Sequence, residues 1–456
     1  MAAPRYSVLG LAKSGIAAAN ALAARGFDVL ASDTRSEREL AEHIGRLDPK
    51  VEVSTGMNVI RPGDIVVASP GIKPSAPILA EARRLGTELI GEIALFHRLK
   101  PPRVPVLSVT GTDGKSTTTV WLGEMVRASG RPVWVGGNLG TPLCQALDTL
   151  TDEHVVVAEI SCFQLSTSPE FKTIACTVTN LAEDHLDYYG SFEAYVAAKR
   201  LLLAALGPGD TAVLNADDPL LAEWAAPPGA KTVRFSRRQP VTEGLHLDGD
   251  GAIVWVRSGH TTRLAHPTEL RIPGAHNVEN AMAAAGVALS FGIPIDAVRT
   301  ALRSFGGLEH RIEFVRELDG VRYFNDSKAT NPHASEAALT AFPGERLVLL
   351  AGGSEKGSTF EGRWVALVAA NAAQVVCYGQ TGPRISAALG DRVPTTRCET
   401  LAQALEHARA LAATKGVVVL SPACASYDQF QHYEDRGWQF KAMVHALASA
   451  SVEPAA

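Results

Sequence analysis

Val109-Thr-Gly-Thr-Asp-Gly-Lys-Ser-Thr117 is the stretch on which the reading of the whole chain turns. The apolar run Val104-Pro-Val-Leu-Ser-Val109 leads into it and predicts a buried parallel strand, and Thr118-Thr-Val-Trp-Leu-Gly-Glu-Met-Val126 leaves it and predicts a helix. A glycine-containing turn between strand and helix aims unpaired backbone N–H groups and the positive end of the helix dipole at one point, which favours an anion. Lys115 adds a full charge able to reach outer phosphates, and Ser116 offers a hydroxyl to Mg²⁺. Gly111, Thr112, Asp113, Gly114, Lys115, Ser116 and Thr117 are therefore candidate ATP-binding residues. The spacing departs from the common P-loop, since Val109 stands where that pattern has its first glycine. An ordinary glycine turn is the competing reading.

At 456 residues the chain is too long for a single core. Two to four domains are expected, and the α/β pattern divides the chain into segments 1–103, 104–306 and 307–456. Pro101-Pro102-Arg103 reads as the first linker, because two prolines stop a helix and cannot join a central strand. A net charge of −5 without a long Lys/Arg run argues against nucleic acid as the partner. No run is apolar and long enough to span a bilayer, and the N-terminus lacks a signal-peptide pattern, so a cytoplasmic protein without a membrane partner is expected. The six cysteines include no Cys-x-x-Cys pair, which suggests neither a zinc site nor a disulfide framework.

In the first domain, strand Tyr6–Gly10, the turn to Gly15, an Ala-rich helix and strand Phe27–Ser32 ending at Asp33 form a dinucleotide-fold opening. Gly10-x-Ala12-x-x-Gly15 narrowly misses the dinucleotide fingerprint, so an NAD-dependent oxidoreductase stays open beside a nucleoside-diphosphate site. Asp64–Ser69 is a further strand, ending in Pro70-Gly71-Ile72. In the central domain, Val133–Gly137 leads to Asn138, Val155–Ala158 to Glu159, and Ile174–Thr179 to Asn180 and the acidic run ending in His185. Parallel strands align their carboxyl ends, so Lys115, Ser116, Glu159 and His185 can converge. Glu159 and the Ser116 hydroxyl suit Mg²⁺, while His185 hints at a second position tolerant of Mn²⁺. Glu159 favouring a helix N-terminus and a solvated loop around His185 are the alternatives. Lys199, mid-helix in Phe192–Ala204, reads as a surface lysine. Residues 231–272 read as a small β excursion. His276, Asn277 and Asn280 open a helix and suit a base, or Asn277 simply caps it. In the last domain Arg311, Lys328 and Lys356 on strand-end loops suit carboxylates or phosphates, or are solvated charges.

Gly111-Thr-Asp-Gly-Lys-Ser-Thr, Gly137-Asn-Leu-Gly, Glu159-Ile-Ser-Cys-Phe-Gln164, Asn180-Leu-Ala-Glu-Asp-His185, Ala198-Lys199, His276-Asn277 to Asn280, Glu309-His-Arg311, Asn325-Asp-Ser-Lys-Ala-Thr-Asn331 and Ser421-Pro-Ala-Cys-Ala-Ser-Tyr-Asp-Gln-Phe430 with Arg436-Gly437 follow one another in the order of a known family. On these motifs, which span nearly the whole chain, it resembles the Mur ligases of peptidoglycan synthesis, and among them the glutamate-adding type. The resemblance implies an ATP-dependent amide ligase, acting through an acyl phosphate, that joins D-glutamate to UDP-N-acetylmuramoyl-L-alanine. It implies a Rossmann-like UDP-binding domain over 1–103, a P-loop-type central ATPase domain over 104–306 and a Rossmann-like C-terminal domain over 307–456, with ATP and two Mg²⁺ sites, small-molecule substrates only, and a monomer.

Residue by residue, the resemblance implies catalytic roles for Lys115, Asn138, Glu159, His185, Lys199 and Arg311. Ser116, Glu159, His185 and a CO₂-carboxylated Lys199 match metal positions, which reverses the plain reading of Lys199. Leu11, Ala12, Lys13, Ser14, Asp33, Thr34, Arg35, Ser69, Pro70, Gly71, Asn138, Ser161, Gln164 and His185 match positions along the UDP-substrate. Asn277, Asn280, Arg311 and Asp326 match positions around adenosine, and Lys328, Thr330, Lys356, Ser426 and Tyr433 positions around the amino acid. The chain departs from the family at Asp113, where Asn is usual, at Cys162, where Ser is common, and at Tyr427 and Tyr433, in place of Leu and Phe. A ligase of the folylpolyglutamate type, a sibling Mur ligase and a non-catalytic nucleotide switch are the rival readings.

Overall fold

The computed structural model describes residues 4–73, 75–355, 357, 359–412 and 415–448, which divide into two compact units. The first contains residues 4–267 and 278–303, the second 268–277 and 304 onward. Helix Ala275–Phe291 runs across the division.

The first unit holds two sheets. Strands β1 (Arg5–Leu9), β2 (Asp28–Asp33), β3 (Glu52–Thr55), β4 (Ile65–Ala68) and β5 (Leu89–Gly91) form a parallel sheet in the order β3-β2-β1-β4-β5. The order reverses direction between β1 and β4, which opens a crevice at their carboxyl ends. The second sheet comprises β6 (Val106–Thr110), β7 (Val133–Gly137), β8 (Val155–Glu159), β9 (Ala175–Val178), β10 (Thr211–Asn215), β11 (Lys231–Ser236), β12 (Gly244–Leu247), β13 (Ile253–Arg257) and β14 (His260–Ala265). Its order is β14-β13-β12-β11-β10-β9-β6-β8-β7, parallel as far as β12 and antiparallel beyond. The segment expected to be a β excursion thus extends the central sheet. β6, β8, β9 and β10 are buried along their full length, which is why they read as continuous apolar runs rather than alternating ones.

The two sheets of this unit share one apolar core, with Val8, Leu22 and Phe96 from the first in the same cluster as Leu143, Leu147 and Phe171 from the second. Gly91 N–H donates to Thr167 O at 2.6 Å and Cys144 N–H to Glu92 Oε1 at 2.6 Å. Glu92, at the start of helix Glu92–Leu99, is buried in this seam, and its Oε2 has no hydrogen-bond partner. Burial pushes the carboxyl up to about 7, against the lowering effect of the Cys144 N–H. A carboxyl raised in the folded state adds stability below its unfolded value near 4.5, and that stability is lost as pH rises through about 7. Glu92→Gln mimics the protonated form. Urea unfolding between pH 5 and 8.5 is expected to show wild type losing up to about 3 kcal/mol relative to this variant across the range. Parallel stability curves would mean that Glu92 ionises in the seam at no cost.

The second unit holds β15 (Glu313–Leu318), β16 (Val321–Asn325), β17 (Leu347–Gly352), β18 (Ala372–Tyr378), β19 (Thr395–Cys398) and β20 (Val417–Leu420) in the order β15-β16-β20-β17-β18-β19. β15 is antiparallel and the rest are parallel. Buried clusters on both faces, one around Phe324 and Trp364 and one around Tyr323 and Phe440, make it a doubly covered sheet.

Candidate active site

β6 ends at Thr110, and helix Lys115–Ala128 begins five residues later, so Lys115 and Ser116 stand in the first turn of that helix. Gly111 and Gly114 take φ of +146° and +76°. A Cβ at Gly111 would overlap Thr179 Oγ1, and one at Gly114 would overlap Asn280 Oδ1, so both positions need glycine. The segment after β9 laces the loop in place. Thr112 N–H donates to Asn180 O at 3.0 Å, Asp113 N–H to Asn180 Oδ1 at 2.9 Å, and Thr179 Oγ1 to Asp113 O at 2.5 Å. Tyr195 Oη lies 3.1 Å from Thr112 Oγ1, and Thr118 Oγ1 donates to Asn280 Oδ1 at 3.3 Å. Lys115 Nζ folds back onto Thr112 O at 2.6 Å. The exposed Asp113 side chain places a carboxyl on the loop's rim.

The neighbouring strands β8 and β9 flank β6 and bring the other groups to the same edge. Glu159, the last residue of β8, is 2% exposed. Its Oε1 accepts from Asn138 Nδ2 at 2.7 Å, while Oε2 is buried without a partner. An orphaned buried carboxylate oxygen at a phosphate loop suits a divalent cation. Among the described residues no three His, Cys, Asp or Glu side chains form a preassembled metal cluster, so Glu159 and Ser116 would need substrate phosphates to complete a shell. His185 has φ +52°, and its ring lies 4.8 Å from that of Phe163 and 6.0 Å from that of Tyr195.

Lys199 is 2% exposed, against the plain reading of a surface lysine. The helix Phe192–Ala204 turns it inward, where Nζ donates to Gly111 O at 2.6 Å and sits 4.5 Å from the centre of the Tyr195 ring. Burial lowers its pKa to about 8, Cys162 works against that and Lys115 adds to it. A lysine with a substantial neutral fraction near neutral pH is a nucleophile. Ser161 and Gln164 form a capping box at helix Cys162–Ser166, with Gln164 Oε1 accepting from Ser161 N–H at 2.9 Å and Ser161 Oγ accepting from Gln164 N–H at 3.3 Å.

A second cavity of about 420 Å³ opens at the carboxyl ends of β1, β2 and β4. Ala12, Lys13, Ser14, Asp33, Thr34, Ser69, Pro70 and Gly71 line it, together with Gly10, Ile72 and Asn58. Leu11 is buried, and its N–H donates to Asp33 Oδ2 at 2.7 Å. Burial works to raise the Asp33 pKa, but the Arg35 fork and the N–H groups of Arg35 and Leu11 hold it down at about 2. The carboxylate is therefore fixed and ionised at the crevice mouth. Asn58, Thr179 and Tyr195 were given no role by sequence, since nothing local marks a loop asparagine or a strand-end threonine as facing a site.

In the second unit, Lys328 Nζ lies 5.9 Å from the centre of the Tyr433 ring. Ser426 is buried, and Arg311 and Lys328 are exposed. Asp326 is enclosed, its Oδ2 accepting from Ser421 Oγ at 2.6 Å and its Oδ1 from Ile312 N–H at 3.2 Å. Burial raises its pKa to about 7, opposed by these bonds and by Arg311 and Arg436. Asn277 is buried and donates from Nδ2 to Pro273 O at 2.6 Å, from within the first turn of its helix. Lys356 lies outside the described residues.

Three family models match the chain in succession: the Mur ligase MurD-like N-terminal domain over residues 4–91, the Mur ligase middle domain over 109–288, and the Mur ligase glutamate ligase domain over 310–424. The UDP-N-acetylmuramoylalanine--D-glutamate ligase of Symbiobacterium thermophilum is 40% identical over 452 residues, covering 97% of this chain and 98% of the relative. That of Pseudomonas fluorescens is 39% identical over 455 residues, covering 97% and 98%. Among solved structures, UDP-N-acetylmuramate-alanine ligase MurC from Thermotoga maritima matches with a TM-score of 0.56 at 20% identity, covering 97% of this chain and 99% of that one. A UDP-N-acetylmuramoyl-L-alanyl-D-glutamate--2,6-diaminopimelate ligase matches with a TM-score of 0.58 at 18% identity, covering 85% and 94%. These last two likenesses concern the fold.

Proposed function

The chain belongs to the Mur ligase family, and from that premise we infer how its residues divide the work of an ATP-dependent amide ligase. The reaction adds D-glutamate to UDP-N-acetylmuramoyl-L-alanine in the synthesis of the peptidoglycan precursor. The observation that carries the residue-level reading is the meeting of a lysine-bearing phosphate loop, a half-satisfied buried carboxylate and a buried lysine at one sheet edge.

The loop 111–117 takes the ATP phosphates, and Lys115 turns from Thr112 O toward the γ-phosphoryl group as charge develops there. The alanyl carboxylate oxygen bonds to the γ-phosphorus as the bond to the ADP oxygen breaks, giving an acyl phosphate. The glutamate amine then attacks the acyl carbon, and phosphate leaves. His185 or a nearby water is the candidate to receive a proton from that amine. Asn138 holds one oxygen of Glu159 and leaves the other unpartnered for a cation. Ser116, Glu159, His185 and Lys199, the last once carboxylated by CO₂, would hold Mg²⁺ (Mn²⁺ would also fit the imidazole), which neutralises phosphate charge when bound. Asn277, Asn280, Arg311 and Asp326 are assigned to adenosine. The cavity at β1, β2 and β4 is assigned to the UDP group, with Asp33 at its mouth. Lys328, Thr330, Ser426 and Tyr433 are assigned to the amino acid.

The three matched regions support domains over 1–103, 104–306 and 307–456. No helix among the described residues is long and apolar enough to cross a membrane, which is compatible with a cytoplasmic enzyme. A monomer is the simplest assembly for this set of sites. Phosphate release from ATP with UDP-N-acetylmuramoyl-L-alanine is expected with D-Glu and not with L-Glu, L-Lys or diaminopimelate. Release with another of the four would reassign the amino-acid pocket, and none at all would overturn the substrate assignment.

A further inference from the structure

A cavity of about 360 Å³ lies in the first unit where β10 and β11 begin and β13 ends. The phosphate loop stands at the other end of these strands, since β10 is parallel to β9 and β6. Nothing in the ligase reaction uses this place.

Its lining is rich in hydrogen-bond donors that the protein leaves unused. Trp255 is 7% exposed and Thr211 6% exposed, yet neither the indole N–H nor the hydroxyl has a partner among the described residues. Ser290 Oγ is buried and also without a partner. Lys231 and Arg257, both exposed, flank the cavity, and neither makes an ion pair among the described residues. The one carboxylate in the lining, Glu243, already accepts from Ser258 N–H at 2.8 Å through Oε1. Among these donors Ser290 Oγ is the buried one, and a buried hydroxyl without a partner carries a cost that a bound acceptor removes, while the others face the open cavity. An indole N–H, an ammonium and a guanidinium can only donate, so the occupant must supply acceptors and negative charge. The Trp255 side chain adds a flat apolar wall.

We propose that this cavity binds a small oxyanion-bearing molecule, held by Lys231 and Arg257 and by the donors of Trp255 and Thr211, as an effector rather than a substrate. Two elements connect it with the phosphate loop. Helix Ala275–Phe291 carries Ser290 at the cavity and Asn280, which accepts from Thr118, about 15 Å along the same helix. β10 carries Thr211 at the cavity and ends in Asn215, whose Nδ2 donates to Thr179 O at 3.0 Å, beneath the loop. Occupancy at one end therefore bears on elements that brace the other.

The test is ¹⁹F NMR of the full chain labelled with 5-fluorotryptophan, with the Trp255 resonance identified through Trp255→Phe. Inorganic phosphate and citrate are titrated separately at constant ionic strength, with chloride as control. A saturable shift of the Trp255 resonance is expected with at least one of them. The phosphate arm marks a phosphate ester as the occupant and the citrate arm a carboxylate. Arg257→Ala is expected to weaken the response at least about tenfold, with ATP turnover in the absence of added anion unchanged. Lys231→Ala should weaken it in the same sense. A shift no different from chloride with both anions, or one that persists undiminished in Arg257→Ala, overturns the assignment. Since the readout is a resonance remote from the phosphate loop, failure here leaves the ligase reading intact.

Discussion

Lys115→Ala is expected to remove ATP turnover, lowering phosphate release by at least about a hundredfold. Phosphoryl transfer asks little covalent chemistry of the protein, so rate comes from holding the phosphates and countering charge as it spreads over the γ-phosphoryl oxygens. Lys115 is the side-chain cation in the first turn of the helix that follows the phosphate loop, and its ammonium is held on Thr112 O at 2.6 Å, within the same loop. Truncation leaves the backbone N–H groups and the helix dipole, which still bind a polyphosphate, so nucleotide affinity should fall far less than turnover. Among the described residues the half-buried side chain bonds only to its own loop, and the fold should survive. Phosphate release measured beside ADP binding by calorimetry separates the two effects. Near-normal turnover would mean that the loop is an ordinary glycine turn and that ATP binds elsewhere.

That loop was the most legible part of the chain. Its glycines, its lysine and the apolar strand before it are all local features, and so are the carboxylates that end β8 and follow β9. Legibility failed where burial depends on distant partners. Lys199 sits on a helix whose pattern alone places a lysine outward, and only the approach of Gly111 and Tyr195 encloses it. Glu92 reads as an acid that favours a helix start, and its burial comes from Cys144, 52 residues away. β15 escaped notice because Glu313, Arg316 and Glu317 interrupt its apolar residues, as expected of an edge strand. Residues 231–272 read as short strands, which occupy 231–265 of that range, but their membership of the central sheet rests on pairing between β10 and β11, which sequence alternation does not reveal. The cavity at the ends of β1, β2 and β4 was legible in its turns and not in Asn58, which a loop after β3 delivers.

Lys199→Ala is expected to reduce ligation by about a hundredfold or more, with part of the loss restored by added acetate or another small carboxylate. The chemistry follows from the lysine's place. Lys199 is 2% exposed, and burial holds its pKa at about 8, so near pH 8 about half of it is neutral and able to attack CO₂, forming an N–C bond and releasing a proton. The product is a carboxylate on a tether, close to Glu159 and the phosphate loop, which turns a cation beside Lys115 into an anion suited to Mg²⁺. Alanine removes the tether and leaves a space that a free carboxylate can enter. The linkage has a sign. The folded pKa of about 8 lies below the unfolded one near 10.5, so wild type loses stability as pH falls from about 10.5 to about 8, and below that the loss is complete and constant because the ammonium is buried. Lys199→Ala should therefore lose no stability on acidification where wild type does, and CO₂ depletion should slow wild type without affecting the variant. A variant that keeps full activity in CO₂-free buffer would make Lys199 a packing residue. Loss without rescue by any small carboxylate, together with wild-type activity indifferent to CO₂, would leave its ammonium as the working form.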